Sequence, residues 1–463
     1  MLVAYIHKQI EIYEGGIKMY NFPTDLYTDI RIESIYSTTI LYENQELTQN
    51  NTKNEEGAMI RIFDGVKWYY SSITDLDSIQ AEIDLLAKMA TPNPDILNHE
   101  VLKHLEVHKG TDINFSKECV KEIPNTKKVE MLKTYLPLLQ ECEEIKTNKV
   151  YYLDQYTKKH FISSLGSDIT FDTQSCTVVL RYAIVIGNQP FNGGYDIYKT
   201  KFSDLLNHEK EVKREIDKDI DYTTYAVPVV PGTYTCLLSP MTAGVFAHES
   251  FGHKSEADFM IGDETMAKEW AIGTKVGSEI LNIIDTGTIY GSGYVPYDDE
   301  GCRAKENYII KDGILTGRLH SSYTAAAMHE PQTGNARAVS FEYEPIVRMT
   351  TTYIGAGTDT KEKLISEMKE GIYIEDILHG SGMSTFTIAP KKAYMIHNGE
   401  IKEPVKISVI TGNVMETLNE IDGLSDTVEI KAFALGGCGK MEQFPLAVGF
   451  GGPYVRVNNI KVQ

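Results

Sequence analysis

The sequence lacks three things that would each have set its class at once: paired cysteines, a long apolar run and an excess of positive charge. Its six cysteines, Cys119, Cys142, Cys176, Cys236, Cys302 and Cys438, are scattered with no CxxC among them. That spacing excludes a zinc knuckle or a dithiol redox pair and reads most of them as buried thiols. No apolar stretch reaches the ~18 residues of a membrane span, and the opening MLVAYIHKQI meets polar residues too early for a secretory core. The cytoplasm is therefore the expected compartment. Lys and Arg number 45 against 65 Asp and Glu, a formal net charge of −20. So acidic a chain argues against direct binding of nucleic acid or of an anionic membrane, since both call for clustered cations.

What is present is a chain of 463 residues, 42% hydrophobic, long enough for two or three domains. The expected fold class is α+β: N-terminal α/β sandwich-like units followed by a large β-rich C-terminal domain. Boundaries are expected at 1–95 for an N-terminal α+β domain, 96–222 for a central α+β domain, and 223–463 for the β-rich domain. In the first unit TDIRIES and TTILYE read as strands, and AMIRIFDGVKWYY as a hairpin turning at Asp64-Gly65. Thr74 is the expected cap of a helix whose Leu76, Ile79, Ile83, Leu86 and Ala90 form one apolar stripe. ENQELTQNNTKNEEG reads as a polar loop, and residues 1–18 fit no clear element. The central unit shows a helix in KKVEMLKTYLPLLQECEEI bent at Pro137, then a meander of KVYYLDQY, HFISSLGSDITF and CTVVLRYAIVIG. A solvated helix in SDLLNHEKEVKREIDKDIDY leads through the hinge AVPVVPGTY into strands such as YTCLLS, PIVRMTTTYI and YVRVNN.

The chemistry concentrates in HESFGH, residues 248–253. In the common zinc-protease motif two histidines lie four apart and project about 40° from each other on a helix. Here they lie five apart, and a regular α-helix would splay them by roughly 140°, too far for one tetrahedral ion. A one-residue π-bulge before His253, eased by Gly252, would absorb the extra residue. Ser239 and Pro240 suit the start of the helix that carries the motif. If the two imidazoles do converge, they are suited to zinc, and Glu249 could act as general base toward a zinc-activated water. The competing reading has two core histidines with a surface glutamate between them. A catalytic zinc needs a third protein ligand. Glu256, Asp258, Asp263 and Glu264 follow closely, and Cys438 in ALGGCGKMEQFP is another candidate, with Gly436, Gly437 and Gly439 permitting close backbone approach. For that stretch the alternative is a tight glycine loop around a buried thiol.

HESFGH, YDDEGCRAKENYIIKDGILTGRL, TGNARAVSFEYEPIVRMTTTYIGAG, NGEIKEPVKISVITGN and GGCGK occur in the order seen in the TldD/PmbA family of metallopeptidases. The resemblance covers roughly residues 24–460 and is strongest from 226 onward. It implies a two-layer α+β protein, often dimeric, that encloses a cavity with zinc held by two histidines and a late cysteine. Carried over, His248, His253 and Cys438 are the metal ligands and Glu249 is the general base. One branch of the family keeps this motif, whereas the PmbA (TldE) branch has lost it and serves as partner; this chain resembles the catalytic, TldD-like branch. The implied substrates are unfolded or extended peptides, and the implied assembly is a homodimer or a heterodimer with a PmbA-like paralogue. A non-catalytic scaffold subunit and a zinc amidase acting on a small molecule are the alternatives.

Other polar groups read as structural. Asp298, Asp299 and Glu300 are expected to cap a turn rather than orient a ligand. Arg337 and Arg348 are expected in ion pairs on a sheet rather than on substrate, and His320, His329, His379 and His397 share no ligand spacing. GFGGPYV lacks the setting of a phosphate loop and reads as a glycine-rich strand bend.

Overall fold

Two long antiparallel hairpins organise the first half of the chain. In the computed structural model, which describes residues 8–13, 16–382 and 384–463, strand Tyr27–Glu43 pairs along its length with Glu46–Phe63. Ile145–Ser163 pairs in the same way with Asp168–Ile186, and the hairpins join through Tyr27–Glu43 and Ile145–Ser163. Trp68–Ile73, Lys109–Asp112 and Gln189–Lys199 complete a seven-stranded sheet. This sheet draws strands from both upstream sequence units, those expected over 1–95 and 96–222.

Several local expectations change here. The polar stretch after Tyr42 is not a loop: it enters strand Glu46–Phe63 after a two-residue turn at Asn44 and Gln45, both at positive φ (46° and 74°). None of residues 46–56 is buried, so no period-2 alternation marks the strand; its long partner supplies the register. Polar and charged residues suit such an outer edge, where Trp68–Ile73 reaches only Ala58–Phe63. The meander is likewise fewer and longer strands, because polar TKK and DTQS run inside them rather than between them. Strands are also found at Lys8–Tyr13 and Gly16–Asn21, paired with each other.

Helix Ile79–Met89 buries Ile79, Ile83 and Leu86 on one face of the large sheet. Its leading turn is capped by Asp75, whose carboxylate accepts from the Asp77 N–H, and not by Thr74. The helix expected around Pro137 is two, Asn125–Lys133 and Leu136–Gln140, with the proline in the first turn of the second. Helix Glu209–Tyr225 is not merely solvated; it buries Val212, Ile216 and Tyr222.

The β-rich second half follows the expected fold class. Strand Gly232–Leu238 lies inside an eight-stranded sheet, parallel to Glu370–Gly382 and antiparallel to Val455–Val462. A six-stranded sheet includes Ile283–Thr286, Thr351–Ile354, Gly449–Gly452 and Glu429–Ala432. Helix Pro240–Ala247 is seated between the two, buried except for Met241. A Cβ on Gly244 would stand 2.4 Å from the Gly451 nitrogen. The GFGG run is a strand that seats the helix, because only glycine lets helix and strand backbones approach so closely, and the chain bends just after it at Pro453.

The halves are locked by buried charge. Arg61 forks onto Asp29 at 3.0 and 2.7 Å and reaches Glu300 at 3.3 Å, while Lys159 reaches Asp299 at 2.6 Å. Asp298 accepts from the backbone N–H groups of Glu300, Cys302 and Ala336, the turn-capping role expected. Among the described residues no helix is long and apolar enough to cross a membrane.

Candidate metal centre

Ser239 opens the motif helix by accepting from the Thr242 N–H at 3.2 Å, with Pro240 in the first turn. After Ala247 the helix widens: the N–H of His253 bonds the carbonyl of His248, an i→i+5 link, and a tight turn His253–Ser255 follows. The expected deformation is present, but Gly252 serves it differently than expected. Its φ is an ordinary helical −53°, and its lack of a Cβ makes room for Met349, whose sulfur would lie 1.9 Å from that atom.

The wider turn brings the imidazoles together, with ring centroids 5.1 Å apart. Cys438 joins them from the short hairpin Cys438–Lys440 and Gln443–Leu446; its Sγ lies 3.4 Å from Nε2 of His253. One donor atom from each of His248, His253 and Cys438 falls within 4.8 Å of the others. Burial pushes the Cys438 thiol up, but hydrogen bonds and charge from His248 and His253 outweigh it and hold the thiol at about 5. His253 moves the opposite way, to about 10: burial lowers it, and Cys438 and Glu256 raise it further.

The donor set fits a zinc-type ion. Bonds of about 2.3 Å to sulfur and 2.0–2.1 Å to nitrogen put two tetrahedral ligands ~3.6 Å apart, close to the observed sulfur–nitrogen distance. Nδ1 of His248 is buried without a hydrogen-bond partner, a costly arrangement for a polar atom that binds nothing. Glu249, partly exposed, faces the same cavity, where a Cβ on Gly380 would meet its Cγ at 3.9 Å.

The competing carboxylates lie elsewhere. Glu256 is buried on the other ring nitrogen of His253, Nδ1, at 3.2 Å. Asp258 pairs with Lys440 at 2.6 Å, Asp263 caps the next helix, and Glu264 is exposed. Gly437 supports the hairpin itself, since a Cβ there would meet the Leu446 carbonyl oxygen at 2.4 Å. Neither arginine behaves as expected: Arg337 donates to the carbonyls of Met349 and Ala447, and Arg348 to those of Cys438 (2.8 Å) and Gln443 (3.3 Å). Arg348 thus anchors the hairpin that presents the thiol. Sequence reasoning missed this role and that of Lys440, because both depend on partners about 90 or more residues away. Of the remaining histidines, His320 bonds Thr324 and Glu330, His397 bonds Glu370 and Glu403, and His379 lines the cavity.

The cavity has a volume of about 1650 Å³ and lies between the halves, walled by Gln189–Lys199 on one side and by the motif helix and Cys438 hairpin on the other. Leu378, Leu435 and Phe444 line it as exposed apolar side chains.

Residues 231–463 match the family model described as the PmbA/TldA metallopeptidase C-terminal domain, and residues 28–90 match PmbA/TldA metallopeptidase domain 1. Fold and sequence together make the chain a metallopeptidase. A metalloprotease of Methanocaldococcus jannaschii is 32% identical over 447 residues, covering 93% of this chain and 95% of that protein. A zinc metalloprotease TldD homolog of Saccharolobus solfataricus is 28% identical, covering 94% and 96% respectively. The solved structure of TldE from Thermococcus kodakarensis shares the fold with a TM-score of 0.74 at 16% identity, over 94% of this chain and 96% of that one. The chain belongs to the PmbA/TldD family of metallopeptidases.

Proposed function

We propose that this chain is a zinc-dependent peptidase of the TldD-like branch that hydrolyses unfolded or extended peptides. The reading rests on one observation above all: two imidazoles and a depressed thiol gathered within 4.8 Å at a cavity wall. His248, His253 and Cys438 would hold the ion, and the zinc named for the S. solfataricus relative suits that donor set. When bound, zinc supplies Lewis acidity that polarises a carbonyl and acidifies water. Glu249, next in the chain to His248, takes the proton from water and returns it to the leaving amine. The exposed Leu378, Leu435 and Phe444 give apolar contact to a substrate in the cavity.

A cavity of about 1650 Å³ exceeds the 300–1,000 Å³ typical of small-molecule pockets, which favours a peptide over a small amide. The retained donor set favours an enzyme over a scaffold. On this reading the chain assembles with a second copy or a TldE-like partner, as the family resemblance implies, and the acidic net charge of −20 favours neither nucleic acid nor membrane. The test is Glu249→Gln. Zinc content should stay at the wild-type level while hydrolysis of an unfolded peptide falls by about 100-fold or more, the scale of a general base. Wild-type turnover by this variant would remove Glu249 from the role.

A further inference from the structure

The hairpin that carries Cys438 is held by side chains rather than by a large sheet, its buried Gln443 donating to the Glu344 carbonyl and accepting from the Val339 N–H. It is a two-stranded sheet outside both large sheets, flanked by Gly436 and Gly437, and its Gly439, Met441, Glu442, Phe444 and Pro445 are exposed. Two buried cations tie it down. Arg348 donates to main-chain carbonyls, those of Cys438 and Gln443. Lys440, two residues past Cys438 and with its side chain only 2% exposed, reaches further. Its ammonium lies 2.8 Å from the Val347 carbonyl oxygen, 2.6 Å from Asp258 Oδ1 and 3.0 Å from Glu256 Oε2, with the Phe259 ring 4.3 Å away.

Oε2 of Glu256 is the same oxygen that lies 3.2 Å from Nδ1 of His253. One carboxylate therefore touches the ring of one cluster member and the side chain that anchors the strand of another. On the metal reading above, we propose that Lys440 is a positioning residue, which together with Glu256 forms a clamp fixing Cys438 relative to His253. The bond to Nδ1 directs Nε2 of His253 toward Cys438, and outer partners of this kind set both ring orientation and ligand strength. The clamp also explains a lysine at this place. The ammonium meets three acceptors from different directions, which a planar guanidinium fork does not match. Its charge further offsets the two carboxylates it touches, one fully buried and the other largely so.

The test uses the full chain. Lys440→Met should bind zinc about 10- to 100-fold more weakly by chelator competition, the usual effect of losing such a partner. Glu256→Gln should lose a similar factor, and the double variant little more than either single one, because both belong to one clamp. Loaded with cobalt, the wild type should show a thiolate-to-metal charge-transfer band that weakens or shifts in Lys440→Met. Far-UV circular dichroism checks that each metal-free variant folds. If Lys440→Met does not fold, Glu256→Gln, which keeps the side chain's shape, carries the same expected loss. Wild-type zinc affinity and an unchanged cobalt band in the folded variants, or losses that simply add in the double variant, would overturn the clamp. Absence of the thiolate band from the wild type would instead sink the metal reading itself.

Discussion

The backbone N–H of His253 closes onto the carbonyl of His248, five residues back, and this single wide turn sets the two imidazoles side by side. The extra residue does not bulge outward. Ser250, Phe251 and Gly252 are all buried, so the widened turn packs against the core except on the cavity side, where Glu249 is partly exposed.

Gly252→Ala tests that support. Its new methyl would overlap the Met349 sulfur, and overpacking of this kind costs roughly 1–3 kcal/mol. The clash is with the buried Met349 side chain, so the loss in a double variant with Met349→Ala should be smaller than the sum of the two single losses. Urea denaturation of the single and double variants reads both effects. Equal stability of Gly252→Ala and wild type would show that the turn has room to spare.

Cys438→Ala should release the metal while leaving the fold intact, because the change removes a single buried sulfur and the two-stranded pair that carries it lies outside both large sheets. Metal analysis after dialysis is the measurement, with melting of the metal-free protein as control. Unchanged zinc content would return the third-ligand role to a carboxylate.

Arg61→Met removes the cation shared by Asp29 and Glu300, both buried at the junction between the halves. Stranding buried carboxylates in this way destabilises by roughly 3–5 kcal/mol. Replacing all three with apolar residues of similar size should cost far less, since the pair's own net worth is small. Chemical denaturation of the two variants separates these outcomes.

Glu106 predicts a pH dependence away from the metal centre. Partial burial pushes its carboxyl up, but hydrogen bonds from His108, Lys305 and the Arg303 N–H prevail and hold it at about 2, below its ordinary 4.5. A folded-state value below the unfolded one adds stability at pH above 4.5 and loses it as pH falls from 4.5 toward 2. Glu106→Gln should therefore flatten the acid limb of the stability curve in that window and leave its shape at neutral pH unchanged.

By itself the sequence determined which side chains could gather around a metal and the need for a deformed helix. Five-residue spacing cannot serve one ion on a regular helix, so HESFGH carried the wide turn within it, and Ser239-Pro240 marked where that helix begins. Amphipathic helices such as Ile79–Met89 were legible for the same reason: each buries one stripe, and the stripe has a period. The exposed half of Glu46–Phe63 buries nothing and so left no period to read; only its partner strand made it a strand. Tertiary structure alone decided which acceptor each buried cation found, why Gly252 and Gly244 must lack a Cβ, and that Glu256 stands behind His253 rather than beside Cys438. Those facts depend on contacts between residues far apart in the chain, and local spacing holds no record of such distances.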